Sequence, residues 1–229
     1  MKKIKKPTGL NRSHYNVVLV HGWLSTPRHH WFPWLQKKLR AMGFQVLAPA
    51  MPQAIKPDKD KWLAKLEKTV APLDPAKTIL VGHSLGVPTI LYLLQKHRGR
   101  KFRHAVLVSG LARQIPYLDK IATGYDMDFD WKRLPRKAKL WTVIHGDQDP
   151  IVPIKESRWI ARNLQTKLWV EKGQGHFTQY RGVFKLKDVL TAITCNQNLS
   201  QEIKQNIKCV SGRPLELPRA LNQIIKFLK

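Results

Sequence analysis

Short runs of apolar residues alternate along this chain with longer stretches in which apolar side chains recur every three or four positions. The runs read as buried strands and the stretches as amphipathic helices, because side chains on one face repeat every two residues in a strand and about every 3.6 in a helix. Residues 15–20, ending in Val17-Val-Leu-Val20, are the first predicted strand; a strand covered on both faces need not alternate apolar with polar. Trp31, Trp34, Leu35, Leu39 and Met42 mark a helix over 29–42, and Gly43 can stop it by turning left-handed. A strand over 45–48 follows, closed by Pro49 and Pro52. Trp62, Leu66 and Val70 share one stripe of a helix over 61–70, ended by Pro72 and Pro75.

The alternation continues with strands over 78–81, 104–108, 140–144 and 167–170 and helices over 85–97 and 156–164. Repeated strand–helix units give an α/β fold, a three-layer αβα sandwich around a mostly parallel sheet. The 229 residues fit a single domain over 1–229, with a helical C-terminal extension from about residue 186. Helical pieces are predicted there at 189–193, 199–207 and 218–228. The stripes Ile203, Ile207 and Leu221, Ile224, Ile225, Leu228 favour packing against the body. Between the fourth and fifth strands, the loop-rich segment 109–136 carries Tyr117, Tyr125, Phe129 and Trp131, which either cover a pocket or fill the core edge.

Composition changes this picture in one respect. Lys and Arg exceed Asp and Glu by enough to give a formal charge of +26, so the surface should attract anions at low salt. The basic residues are dispersed, with concentrations at 1–6 and 98–103. No zinc-finger or RNA-recognition pattern accompanies them, which leaves non-specific contact with anions or nucleic acid. Cys195 and Cys209 are too few for a disulfide framework or a zinc site, although the two could pair. No metal or cofactor motif is present. The longest apolar runs are too short for a signal peptide or a membrane span, so a cytoplasmic protein is expected, of unassigned oligomeric state.

The chemistry-bearing motif is Gly82-His83-Ser84-Leu85-Gly86, which matches G-x-S-x-G between a predicted strand and a predicted helix. In that setting the serine sits on a strained turn, and the glycines let strand and helix backbones pass closely. Pro88 falls in the first helical turn, where its missing N–H breaks no bond. A serine hydroxyl needs a base and a group that fixes the base's tautomer. The turn after the fifth strand, His145-Gly-Asp147-Gln-Asp149-Pro-Ile-Val-Pro153, supplies two acids; Asp149 is preferred as the orienting acid, with Asp147 as alternative and as a turn cap otherwise. His176, in Gly173-Gln-Gly-His-Phe177 after the last strand, is the candidate base. His14, His29, His30, His97 and His104 read as structural, His21 as a buried structural residue, and His83 as a passenger of the motif. Backbone N–H groups of Leu85 and of Trp23, preferred over Leu24, are the candidate oxyanion donors.

His21-Gly22, the Gly82–Gly86 elbow, Gly146-Asp-Gln-Asp149 and Gly175-His176 together resemble the α/β-hydrolase superfamily. His30-Trp-Phe-Pro-Trp-Leu35 and Met51-Pro52 narrow the resemblance to the small serine hydrolases related to retinoblastoma-binding protein 9. That family implies a compact domain without a large lid, and hydrolysis of carboxylic esters through an acyl-enzyme. Asp149 holds the position that such hydrolases give the triad acid, directly before Pro-Ile-Val-Pro. The basicity and the tail beyond His176 depart from the family. The expected substrate is a small-molecule ester, with activity falling below about pH 6.5 as the base protonates. The alternative is a catalytically silent hydrolase-shaped protein that binds nucleic acid or acidic partners; a lyase or haloperoxidase variant of the scaffold also stays open.

Overall fold

The computed structural model describes residues 15–195. Strands β1 (Asn16–Val20), β2 (Gln45–Leu47), β3 (Thr78–His83), β4 (His104–Val108), β5 (Trp141–Gly146) and β6 (Leu168–Glu171) pair in parallel in the order β2-β1-β3-β4-β5-β6. Parallel neighbours require crossovers, which are provided by α1 (Phe32–Ala41), α2 (Lys59–Val70), α3 (Gly86–Lys96) and α5 (Ile154–Asn163), with short α4 (Leu118–Ile121) between β4 and β5 and α6 (Lys187–Cys195) after β6.

Alternation along the strands splits the core into two layers. Val18, Val20, Leu80, Ala105, Leu107 and Val143 face one apolar cluster, which also takes Trp62 and Leu66 of α2, the apolar residues of α3, and Ile160 of α5. Their neighbours Val17, Leu19, Ile79, Val81, Val106, Val108 and Ile144 face a second cluster, with Phe32, Leu35 and Leu39 of α1 and Val189, Ala192 and Ile193 of α6. Helices therefore cover both faces of the sheet, the predicted three-layer αβα sandwich. No helix of the described residues is long and apolar enough to cross a membrane.

Where the structure departs from the predicted boundaries, local chemistry accounts for it. Helix α1 starts at Phe32 and not at 29, because Pro33 favours the first helical turn and His30 turns back with φ of 58°. Helix α2 starts two residues earlier than predicted because the Asp58 carboxylate accepts from the Lys61 N–H at 3.0 Å, an N-cap. Strands β3 and β5 each run two residues past their apolar stretches, since Gly82 and His83 pair with Leu107 and Val108, and His145 and Gly146 with Val170 and Glu171.

In segment 109–136, Tyr125 and Phe129 are buried, and Tyr117 and Trp131 pack half-buried on the first cluster; its aromatics fill the core edge. The helix predicted at 189–193 is α6, whose Val189, Ala192 and Ile193 are wholly buried beside α1 in the second cluster. The helices predicted at 199–207 and 218–228, the basic stretch 1–6 and Cys209 lie outside the described residues.

Candidate active site

Five expected site residues lie just beyond the carboxyl ends of four parallel strands: Trp23 after β1, Ser84 and Leu85 after β3, Asp149 after β5 and His176 after β6. A parallel sheet brings all such ends to one edge of the molecule. Ser84 has φ of 54°, which costs a residue with a Cβ roughly 1–3 kcal/mol and persists only where surroundings fix it. Its N–H donates to the Val108 carbonyl at 2.9 Å, and its carbonyl accepts from the Val87 N–H at 3.0 Å, opening α3. Close packing does the rest: a Cβ on Gly86 would come within 2.3 Å of the Val20 carbonyl oxygen, and one on Gly22 within 2.8 Å of the Ser84 Cβ. Ser84 is half-buried between the buried residues His83 and Leu85.

The two acids of the β5 turn have separate surroundings. Asp147 is exposed, and its Oδ1 accepts from the Gly173 N–H at 2.7 Å, tying this turn to the loop after β6. The Asp149 side chain is wholly buried; Oδ1 accepts from the N–H groups of Ile151 and Val152 at 2.9 and 3.0 Å, and Oδ2 lies 2.7 Å from His176 Nδ1. Burial alone would raise the Asp149 carboxyl, but the charge and hydrogen bond of His176, with His145 and the Val152 N–H, bring it down to about 2. A carboxylate can only accept, so His176 carries its proton on Nδ1 and leaves Nε2 as the basic nitrogen.

Histidines crowd this edge, and their partners assign their tautomers. His145 Nε2 donates to the Val152 carbonyl at 3.0 Å, its Nδ1 takes the Ser157 hydroxyl at 2.7 Å, and burial lowers its pKa against the pull of Asp149. His21 donates from Nδ1 to the Gly22 carbonyl at 2.9 Å and accepts the Met51 N–H on Nε2 at 3.0 Å, which shapes the loop before Trp23. His83, read as a passenger of the motif, has a partner: its Nε2 lies 2.9 Å from the carbonyl oxygen of His176. His30 and Gln179 bond reciprocally, the His30 N–H to Gln179 Oε1 at 3.0 Å and the Gln179 N–H to His30 Nδ1 at 3.1 Å. Phe177, with φ of 50°, is buried in the second cluster and anchors the same loop. Only the histidine beside the serine was visible in the motif; its partner lies 93 positions away.

The Leu24 N–H is engaged by the Ala54 carbonyl at 2.9 Å, whereas the N–H groups of Trp23 and Leu85 have no hydrogen-bond acceptor among the described residues. Leu85 is also the N-cap of α3, where the helix dipole favours negative charge. Among the described residues, no group of His, Cys, Asp and Glu is arranged to hold a metal ion.

A sequence model of the family described as serine hydrolase matches residues 17–194. The chain belongs to the serine hydrolase family. Within it, this serine hydrolase is 34% identical over 179 residues to YdeN of Bacillus subtilis, named as a hydrolase, covering 78% of this chain and 94% of the relative. It is 29% identical over 180 residues to the serine hydrolase RBBP9 of Rattus norvegicus, covering 76% and 94%. The crystal structure of the B. subtilis ydeN product superposes with a TM-score of 0.75 at 32% identity, over 79% of this chain and 97% of that one. The structure of esterase PE8, at 22% identity and a TM-score of 0.55 over 80% and 92%, shows the fold alone. The α/β-hydrolase fold expected of this serine hydrolase is thereby shown.

Proposed function

We propose that this serine hydrolase is a cytoplasmic esterase that cleaves small carboxylic esters, with Ser84 as nucleophile, His176 as general base and Asp149 as the acid that orients it. The 2.7 Å contact between His176 Nδ1 and a wholly buried carboxylate supports this reading most, because it leaves Nε2 free to take a proton. Nε2 accepts the Ser84 proton as Oγ attacks the ester carbonyl. The oxyanion meets the N–H groups of Trp23 and Leu85. His176 returns the proton to the departing alcohol, and the acyl group stays on Ser84. A water then gives one proton to His176 and its hydroxyl to the acyl carbon; as the bond from that carbon to Ser84 Oγ breaks, His176 passes the proton to Oγ and the acid leaves. Leu24 and Ile55, both exposed and linked to the Trp23 loop, place apolar surface beside the proposed donor, which suits a hydrocarbon acyl group.

The test is turnover of p-nitrophenyl acetate and butyrate by the parent and by Ser84→Ala. The variant should lose roughly 10⁴-fold or more in kcat while staying folded. Full turnover without the hydroxyl would overturn the assignment.

A second reading, a silent scaffold that binds anions, draws on the charge of +26 and on a cavity of about 450 Å³ between α2 and α3, lined by Lys59, Lys96, Arg98, Arg133 and Lys137. Three of these cations already meet acids: Lys59 with Asp126 at 3.2 Å, Lys96 with Glu67 at 2.8 Å and Arg133 with Asp130 at 3.3 Å. Nucleic-acid affinity that falls steeply with salt, in a protein without esterase turnover, would favour this reading.

A further inference from the structure

The loop that carries His176 is tied to the nucleophile's own strand by a side chain. His83 ends β3 one residue before Ser84, is almost wholly buried, and sets its Nε2 2.9 Å from the His176 carbonyl oxygen. A carbonyl oxygen only accepts, so His83 carries its proton on Nε2. Its ring stands 4.9 Å from the His176 ring, 5.7 Å from that of His30 and 5.8 Å from that of Trp31, so it cannot swing away without displacing all three. Three residues further on, the reciprocal pair of His30 and Gln179 holds the same loop to the segment before α1.

We propose that His83 is a positioning residue for the base: its Nε2–H grips the His176 backbone so that one imidazole can stay on Asp149 and address the Ser84 hydroxyl together. This rests on the esterase reading above. Asp149 fixes only the Nδ1 side of the ring, and a backbone free to shift would let the ring follow its carboxylate away from the serine. His83 supplies the second point from the residue covalently joined to the nucleophile, which makes the spacing between base and serine a local distance. Burial, then the neighbouring His176 and His30, hold the His83 pKa well below 6.5. It therefore stays an uncharged donor and adds no positive charge against the imidazolium that forms in each proton transfer.

The test compares His83→Leu, which removes the donor, with His83→Gln, whose amide nitrogen can reach the place of Nε2. Displacing a reacting group by about 1 Å can cost roughly 100-fold, so His83→Leu should lower kcat for p-nitrophenyl acetate by about 10–100-fold with KM nearly unchanged. It should move the acid limb of the pH–rate profile and shift the proton resonance of His176 Nδ1–H in NMR. His83→Gln should recover most of the rate and return the limb and the resonance towards the parent. Should His83→Leu not fold, His83→Asn, whose amide is too short to reach the carbonyl, takes its place with the same expected losses. If the donor-free variant keeps the parent's kcat, pH limb and resonance, or if Leu and Gln lose rate equally and only in proportion to the unfolded fraction, the proposal is wrong. A parent that shows no Ser84-dependent turnover defeats the esterase reading and this proposal with it. A parent with that turnover beside an unaffected His83→Leu defeats this proposal alone.

Discussion

The loop that carries His176 and the segment 109–136 both leave the same end of the sheet, yet they differ in how much apolar side chain each buries. The His176 loop sinks one apolar side chain, Phe177, into the second cluster, and is otherwise fixed by directional bonds from three other parts of the chain: the Gly173 N–H to Asp147, the Gln148 N–H to the Gln174 carbonyl, His83 to the His176 carbonyl, and His30 with Gln179. Segment 109–136 has directional bonds of its own, among them the Thr123 N–H to the Pro57 carbonyl, the Tyr92 hydroxyl to Asp126 and Arg113 with Glu156, and it adds a larger set of apolar side chains sunk into the first cluster, among them Ile115, Leu118, Ile121, Tyr125 and Phe129. Directional bonds define where a ring points; apolar burial defines only that a segment stays down. Substitutions in the first region should therefore change rate more than stability, and substitutions in the second the reverse.

The largest expected effect separates the two acids of one turn. Asp149→Asn removes the charge that stabilises an imidazolium and allows the wrong tautomer of His176, so kcat should fall by about 10⁴-fold with the fold retained. Asp147→Asn, at an exposed site that caps the Gly173 N–H, should stay within a few-fold of the parent. Steady-state ester hydrolysis by the two variants would reveal an inverted assignment directly.

Next comes the segment's own test. Phe129 packs 4.7 Å from the Tyr92 ring and 5.7 Å from Trp131, and Phe129→Ala should lower stability by about 3–5 kcal/mol in urea unfolding. At a temperature where the variant is folded, kcat should change only a few-fold. A rate loss as large as that of Asp149→Asn would erase the distinction between the two regions.

Proton linkage supplies two smaller effects. Burial first, with His176 beside His30 and Arg103 beside His104, brings these histidines from 6.5 to about 3 and about 4. The unfolded chain thus binds protons at these sites before the folded one does. The stability they contribute is complete above about pH 6.5 and lost as pH falls towards 4 and 3. Asp149 adds a lower window, from 3.8 down to about 2. Urea midpoints should fall between pH 7 and pH 4, and His104→Gln should show a shallower fall; equal slopes would contradict the linkage. Glu171 has the opposite sign: its hydrogen bond with Asp188, then burial, raises it to about 7, so its share of stability is present below about 4.5 and lost as pH rises through 7. Glu171→Gln should be more stable than the parent at pH 8 by less than about 1 kcal/mol, with the gap closing by pH 5.

Much of this was legible in the sequence because its causes are local. Strand β4 keeps the predicted limits because His104–Val108 is an unbroken buried run between polar flanks. The elbow is readable because its motif is continuous in the sequence: Gly82 answers a contact with Gly86 and Ile90 within one strand–helix turn, although Gly86 itself makes room for the Val20 carbonyl of β1. What escaped reading depends on partners far away in the chain. His83 looks idle until the fold brings residue 176 beside it, and Gln179 has no motif at all to announce its exchange with His30. The ends of β3 and β5 were missed for a related reason: glycine and histidine interrupt the apolar runs, while the ladder that carries them on is made by neighbouring strands.

Treating the folded protein with a fluorophosphonate probe and mapping the adduct by peptide mass spectrometry reads the reactivity of the serine at the heart of this account. One adduct, on Ser84, formed far more slowly in Asp149→Asn, is the expected result. Labelling at another residue, or at Ser84 with a rate indifferent to Asp149, would contradict it.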